Sequence, residues 1–116
     1  MKKKAFLFPG QGSQYVGMGK SLCQRSKTAS EIFERAGDVL HLDMKKLCWD
    51  EDIATLTLSK NAQPAILTTS YAMYRVCLEE QEIWPDAMAG HSLGEITALT
   101  CARALEFEDA VRLVRK

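Results

Sequence analysis

A serine between two closely spaced glycines has the clearest chemical potential in this chain. Gly90-His91-Ser92-Leu93-Gly94 fits the pattern G-x-S-x-G, in which a sharp strand-to-helix turn exposes a nucleophilic serine. Flanking residues larger than glycine would collide with neighbouring backbone in such a turn. The helix that follows points its unpaired N–H groups at developing negative charge. The pattern predicts that Ser92 attacks an acyl group and that the Leu93 N–H donates to the oxyanion.

The alternative interpretation of this pattern is an ordinary turn with a buried serine. The context favours the nucleophile, because the short apolar stretch Ala87-Met-Ala89 precedes the turn as a strand would. Ile96, Leu99 and Thr100 then indicate a helix leaving it.

A second glycine-rich stretch, "FPGQGSQYVGMGKS" from Phe8 to Ser21, resembles a phosphate-binding loop at its end. That motif requires a glycine where Gln14 stands, and the dinucleotide fingerprint requires a glycine where Tyr15 or Leu22 stands. Both nucleotide interpretations therefore fail on a required residue. An acyl-transfer site needs a second oxyanion donor from a loop after a neighbouring strand, and this loop is placed to supply it. Gly10 and Gly12 would let its backbone come close to the substrate.

The pattern of apolar and turn-forming residues predicts the elements that position these loops. The order strand, loop, helices, strand, turn, helix indicates an α/β fold with a parallel sheet covered by helices. The first predicted elements are a fully buried strand Lys4–Phe8 and a helix Ala29–Leu40 that is capped through Thr28 and Glu31. Short helical turns over Asp43–Leu58 follow, and then a helix from an Asn61 cap to about Gln81 with Pro64 in its first turn. The last predicted elements are a strand Ala87–Ala89 and helices after Ser92 and from Phe107. One apolar side is expected on the long helix, formed by Ile66, Leu67, Ser70, Met73, Tyr74, Cys77 and Leu78.

The composition excludes several function classes. Fifteen basic residues balance fifteen acidic ones among 116, so no overall field favours nucleic acid or a membrane surface. The four cysteines are widely spaced and form no C-x-x-C pair, which argues against a metal site and a disulfide framework. Buried free thiols in a reducing cytoplasm are the expectation, and nothing in the sequence demands a metal or a bound cofactor.

Two separated motifs in this order carry a family resemblance. "FPGQGSQ", followed about eighty residues later by "GHSLGE", resembles the malonyl-CoA:acyl-carrier-protein transacylase family and the acyltransferase domains of polyketide synthases. "NAQPAILTTSYAMYR" and "ALEFEDAVRLVRK" look like the same family, so the resemblance runs through the whole chain. It implies that residues 1–116 are the N-terminal portion of one acyltransferase domain with a hydrolase-like core. A smaller ferredoxin-like subdomain is expected beyond residue 116.

The resemblance also implies an activity and partners. A malonyl or similar acyl group would pass from coenzyme A to the phosphopantetheine thiol of an acyl carrier protein, in polyketide or fatty acid biosynthesis. Ile96-Thr97 within "ITALTCA" look more like the free-standing acyltransferases of polyketide pathways. By matching positions, Ser92 is the acylated serine, Gln11 and Leu93 give the oxyanion hole, and His91 and Gly10 line the substrate site.

The base that a serine nucleophile needs is not evident in this stretch. His91 is too close to Ser92 in the turn to reach it with good geometry, and His41 is expected in an exposed loop. The family places the base histidine and the carboxylate-binding arginine beyond Lys116, while Arg112 and Arg115 are expected on a solvated helix face. Two alternatives therefore stay open: an acyl hydrolase acting on carrier proteins, and a catalytically incomplete fragment or assembly module.

Overall fold

Two parallel strands and seven helices make up the part of the chain that the computed structural model describes, residues 5–81, 87–90 and 92–115. In chain order they are β1 (Ala5–Phe8), α1 (Lys20–Arg25), α2 (Lys27–Leu40), α3 (Met44–Trp49), α4 (Ile53–Thr57), α5 (Ser59–Gln81), β2 (Ala87–Gly90), α6 (Leu93–Cys101) and α7 (Phe107–Arg115). The predicted α/β class with a parallel strand pair is confirmed. The six-residue helix α1 was not among the predicted elements.

The strand pairing brings the two glycine-rich stretches to one edge of the sheet. β1 and β2 pair in parallel with Phe8 opposite Gly90, so both strands end at the same edge. The prediction that β1 is fully buried is wrong, because the Leu7 side chain is 78% exposed. Leu7 lines an open groove between β1 and α5 together with Met73. Phe6 lies on the other face of the strand and meets the Tyr74 ring edge-on at 5.6 Å.

Helix α5 is the centre of the described fold. It contacts α2, α3, α4, α6 and α7, so most of its circumference is buried rather than the single side that the apolar pattern predicted. The additional buried positions are mostly small or β-branched, and they are Asn61, Ala62, Pro64, Ala65, Thr68, Thr69, Ala72 and Val76. Such residues let neighbouring helix backbones approach closely, but they leave little contrast for a periodicity argument. Met73, which was expected in the apolar side, is 58% exposed.

The start of α2 differs from its prediction. The helix begins at Lys27, and the Ser26 hydroxyl accepts a hydrogen bond from the Ala29 N–H at 3.2 Å as the N-cap. The predicted capping box through Thr28 is therefore wrong, because the Thr28 hydroxyl lies 2.8 Å from the Glu79 carboxylate on α5. The short helices after α2 do form as predicted, with Asp43 and Asp52 as their N-caps.

The first turns of α5 are joined to the end of α7. The helix begins at Ser59, two residues before the predicted cap, which places Pro64 in its second turn. Pro64 has no N–H to give to the Lys60 carbonyl one turn earlier. The Arg115 guanidinium supplies that hydrogen bond at 2.9 Å and also donates to Asn61 Oδ1. The prediction that Arg115 lies on a solvated helix face is therefore wrong.

The other predicted surface arginine of α7 behaves as expected. Arg112 is exposed and pairs with Asp109 one turn earlier at 3.0 Å.

At the start of α7, the Arg35 guanidinium donates two 3.0 Å hydrogen bonds to the Glu108 carboxylate. Burial raises the pKa of Glu108, but these bonds outweigh burial and hold the pKa below its ordinary value. This pair joins α2 to α7 beside the Phe107 ring.

Candidate active site

Ser92 occupies a strained turn between β2 and α6. Its backbone has φ 55° and ψ −108°, a region that residues with a side chain rarely adopt. The residue stands at the N-cap position of α6, yet its side chain does not cap the helix, and it is exposed. Backbone strain at a serine on a strand-to-helix turn is the geometry that G-x-S-x-G predicts.

The two glycines of the motif have no room for a side chain. A Cβ on Gly90 would lie 2.1 Å from the Gly94 carbonyl carbon, and one on Gly94 would lie 2.3 Å from the Phe8 carbonyl oxygen. The expectation that larger flanking residues would collide with backbone is confirmed. The second contact also shows that the start of α6 lies directly against the end of β1. The serine turn and the glycine-rich loop after β1 are therefore neighbours.

The first N–H groups of helix α6, at the serine turn, have no acceptor within the helix. The first intrahelical bond runs from the Glu95 N–H to the Ser92 carbonyl at 3.0 Å, which leaves the Leu93 and Gly94 N–H groups without an intrahelical acceptor. The Leu93 side chain is buried, so its backbone is held firmly in place. His91, the predicted pocket residue, lies outside the described residues.

The first half of the glycine-rich loop is held by side chains. The Ser13 hydroxyl donates to the Gly10 carbonyl at 2.8 Å, and the Gln14 side chain accepts from the Gly12 N–H at 2.8 Å. Gly12 has φ 107°, which other residues would adopt only with strain. No residue in the ranges 5–81, 87–90 and 92–115 accepts a hydrogen bond from the Gln11 N–H.

The second half of the loop is part of the core and cannot cradle phosphates. The Gly17 N–H donates to the Cys48 carbonyl at 2.7 Å, and the Trp49 indole donates to the Met18 carbonyl at 2.8 Å. A Cβ on Gly19 would lie 2.6 Å from the Phe33 ring. Gly19 is required for close packing against α2, whereas Gly17 is required for its φ of 94°, because a Cβ there would meet no neighbouring atom. The N–H groups of Gly17, Met18 and Lys20 already have backbone acceptors, so they are not free to bind phosphate.

Gln11 contacts residues that the sequence did not mark as functional. Its side-chain amide donates to the Ser59 hydroxyl at 2.8 Å and accepts from the Gln63 amide at 3.5 Å. The only signal was the stretch "NAQPAIL", which contains Gln63 and belonged to the family resemblance without a role. Nothing local distinguishes Ser59 from other exposed serines.

The described residues do not place a base at Ser92. His41 is the only histidine that they include, and it is an exposed residue at the C-terminal end of α2, as predicted. It lies in a separate surface groove with Asp38 and Lys45. Among the described residues there is also no cluster of three potential metal ligands, and none of their helices has the length and apolarity needed to cross a membrane.

The cysteines are free, and two of the four are buried. Burial raises the pKa of Cys48 and of Cys101 to about 12, so neither thiol ionises near neutral pH. Cys23 and Cys77 are half-buried, which corrects the expectation that all four thiols are buried.

Comparisons with known proteins cover nearly the whole chain. Residues 5–116 match the family described as acyl transferase domain. Malonyl CoA-acyl carrier protein transacylase from Bacillus subtilis is 53% identical over 116 residues, which are 100% of this chain and 29% of that protein. The protein of the same name from Escherichia coli K12 is 44% identical over 114 residues, 98% of this chain and 37% of that protein.

Solved structures agree with these sequence matches. An acyl-carrier-protein S-malonyltransferase from Burkholderia pseudomallei superposes with a TM-score of 0.94 at 45% identity, over 98% of this chain and 37% of that one. A malonyl-transacylase in complex with a type II polyketide synthase acyl carrier protein superposes with a TM-score of 0.94 at 40% identity, with the same coverage. This chain spans about a third of the length of these relatives.

Proposed function

This chain belongs to the acyl transferase domain family, and from that premise we propose that residues 1–116 are the N-terminal portion of a malonyl-CoA:acyl-carrier-protein transacylase. The observation that carries the proposal is the strained Ser92 turn packed against the loop of Gln11. An exposed serine with a free helix N-terminus beneath it is suited to attack on a thioester. The relatives' names supply the acyl group and the acceptor.

The reaction is a ping-pong acyl transfer through Ser92. The serine oxygen attacks the thioester carbonyl of malonyl-CoA while a base takes its proton, and the family places that base histidine beyond Lys116. The tetrahedral oxyanion accepts hydrogen bonds from the N–H groups of Gln11 and Leu93, each such donor contributing about 3–4 kcal/mol. Collapse expels the coenzyme A thiolate, which takes the proton from the base. The carrier-protein thiol then attacks the acyl-serine by the reverse of these steps.

The remaining site residues act on substrate placement. Gly10 lets the loop backbone approach the acyl group, because it adds no side chain beside Gln11. His91 lines the acyl pocket next to the nucleophile. Water must be kept from the acyl-enzyme, since its attack would turn transfer into hydrolysis.

The setting of the reaction follows from the same premise. The protein partner is an acyl carrier protein, the small-molecule substrate is malonyl-CoA or a similar acyl-CoA, and the pathway is fatty acid or polyketide biosynthesis in the cytoplasm. Neither nucleic acid nor a membrane is a partner. The hydrolase and assembly-module alternatives are not favoured, because the similar curated proteins are named transacylases.

The test is intact-mass spectrometry of the complete gene product that contains this chain, with and without malonyl-CoA, followed by peptide mapping. We expect a malonyl adduct on Ser92 that disappears when holo acyl carrier protein is added and reappears on the carrier. Ser92→Ala is the matched control and should give no adduct. Consumption of malonyl-CoA with release of free malonate and no transfer would refute the transferase and support the hydrolase.

A further inference from the structure

We infer that Ser59 is a positioning residue for the oxyanion loop: its hydroxyl holds the Gln11 side chain so that the Gln11 backbone N–H faces the reacting carbonyl. This inference rests on the proposed acyl transfer. It assigns a role to a residue at the start of α5 that lies 48 positions from Gln11 in the chain.

The loop cannot set its own position relative to Ser92. Its internal hydrogen bonds join Ser13 to Gly10 and Gly12 to Gln14, and all of these residues belong to the same five-residue segment 10–14. Such bonds give the loop its shape but not its place in the fold. An oxyanion donor is useful only when it is held within about 0.5 Å of its productive position.

Two glutamine side chains connect the loop to the junction of α4 and α5. Gln11 Nε2 donates to Ser59 Oγ at 2.8 Å, whereas Gln14 Nε2 donates to Thr57 Oγ1 at a longer 3.4 Å. The Gln63 amide reaches Gln11 Oε1 at 3.5 Å. The Ser59 contact is the shortest of the three and acts on the residue that carries the oxyanion N–H, so it should contribute most to the loop's position.

The junction itself is firmly held. The Asn61 side chain donates to the Thr55 carbonyl at 2.9 Å across the turn between α4 and α5. Arg115 in turn holds Asn61 from α7. Because α5 is buried along most of its length, Ser59 is attached to a helix that packs against five others in the described fold.

The effect of Ser59→Ala follows from these contacts. The alanine removes the acceptor but leaves the helix intact, because Ser59 is exposed and alanine is a good helix former. A typical neutral hydrogen bond corresponds to about a fivefold change in population, so we expect kcat for acylation of Ser92 to fall about 5- to 10-fold. This is smaller than the about 10²- to 10³-fold expected when an oxyanion donor is lost outright. KM for malonyl-CoA should change less than twofold, because the bond acts on the transition state.

The experiment compares the complete protein with its Ser59→Ala and Ser59→Thr variants by rapid-quench mass spectrometry of the Ser92 adduct. Hydrogen exchange of the peptide covering residues 10–14 is measured on the same samples without substrate. Threonine keeps the hydroxyl and should restore both the rate and the protection that alanine loses. Ser21→Ala, an exposed serine of α1, is the matched control and should leave both unchanged.

The two readouts separate the two proposals. The positioning role would be overturned if Ser59→Ala acylated Ser92 with the wild-type kcat. It would also be overturned if Ser59→Thr were as slow as Ser59→Ala. Absence of any adduct on the wild-type protein would refute the proposed function instead. In that case unchanged exchange in the Ser59→Ala loop would independently show that Ser59 does not hold it.

Discussion

Replacing Ser92 by glycine should remove the nucleophile and stabilise the fold at the same time. The serine stands at φ 55° and ψ −108°, which a side chain makes costly and which glycine adopts readily. Ser92→Ala is the matched comparison, since it also removes the hydroxyl but keeps a Cβ and therefore the strain. The difference in stability between these two variants isolates the cost of the turn.

The size of this stability difference follows from two opposing contributions to the free energy of unfolding. A non-glycine residue held in a sparsely populated backbone region costs about 1–3 kcal/mol. Glycine loses more backbone entropy on folding than alanine, which offsets about 0.5–1 kcal/mol of the relief. The Ser92→Gly variant should therefore have a free energy of unfolding about 0–2.5 kcal/mol larger than that of Ser92→Ala, with the middle of both ranges giving about 1 kcal/mol.

The assay is urea unfolding of the complete protein, followed by far-ultraviolet circular dichroism. A control pair at Asp38, an exposed position in α2, should show the opposite order. There Asp38→Gly should be less stable than Asp38→Ala by about 1 kcal/mol, because glycine is the poorer helix former. Mass spectrometry of the same samples should show no malonyl adduct in either Ser92 variant.

A Ser92→Ala variant that is more stable than Ser92→Gly, as at the Asp38 control, would refute the argument that the turn stores strain. A malonyl adduct that persists in either variant would refute Ser92 as the nucleophile. The two conclusions are independent, because one depends on the backbone and the other on the hydroxyl.

Three further predictions concern packing at the serine turn and between the helices of the described fold. Gly94→Ala places a Cβ against the end of β1 and should cost about 1–3 kcal/mol of unfolding free energy and most of the acylation rate; wild-type stability would contradict the 2.3 Å contact. Arg115→Met should cost about 0.5–1.5 kcal/mol, because the exposed Lys60 carbonyl exchanges its guanidinium donor for water and Asn61 loses the same donor; the loss should shrink in a Pro64→Ala background, where an N–H returns, and equal losses in both backgrounds would contradict this coupling. Glu108 has a lowered pKa through Arg35, so its stabilising effect is present above the ordinary value of 4.5 and is lost as the pH falls through the folded pKa. Because both side chains are partly exposed, Glu108→Gln should cost only about 0.5–1 kcal/mol at pH 7, and this loss should shrink as the pH is lowered below 4.5 in urea titrations; a pH-independent loss would contradict the ion pair.

Features that depend on local sterics could be predicted from the sequence. The strand Ala87–Gly90, the turn at Ser92 and the helix after it follow from a short apolar run, two glycines and helical spacing within fifteen residues. The last helix and the two short helices capped by Asp43 and Asp52 form for similar local reasons. The exclusion of a nucleotide site also needed only the identity of Gln14, Tyr15 and Leu22.

Features that depend on distant partners could not be predicted in this way. Thr28 has the spacing of a helix cap, but its hydroxyl is taken by Glu79, 51 positions away, and Ser26 caps instead. Arg115 has the pattern of a surface residue, but its guanidinium donates to the Lys60 carbonyl, which receives no N–H from Pro64. In each case a tertiary hydrogen bond competes with the local alternative and prevails.

The sequence by itself therefore determined the tight turn at Ser92, because a glycine two positions on either side lets the backbone fold closely within a single turn. Only the tertiary structure decided which loop faces that serine and what holds the loop in place. The parallel pairing of Phe8 with Gly90 joins segments some eighty residues apart, and the Gln11–Ser59 bond spans 48 positions. Contacts at such separations arise from packing around α5, so they cannot be predicted from residues that are neighbours in the chain.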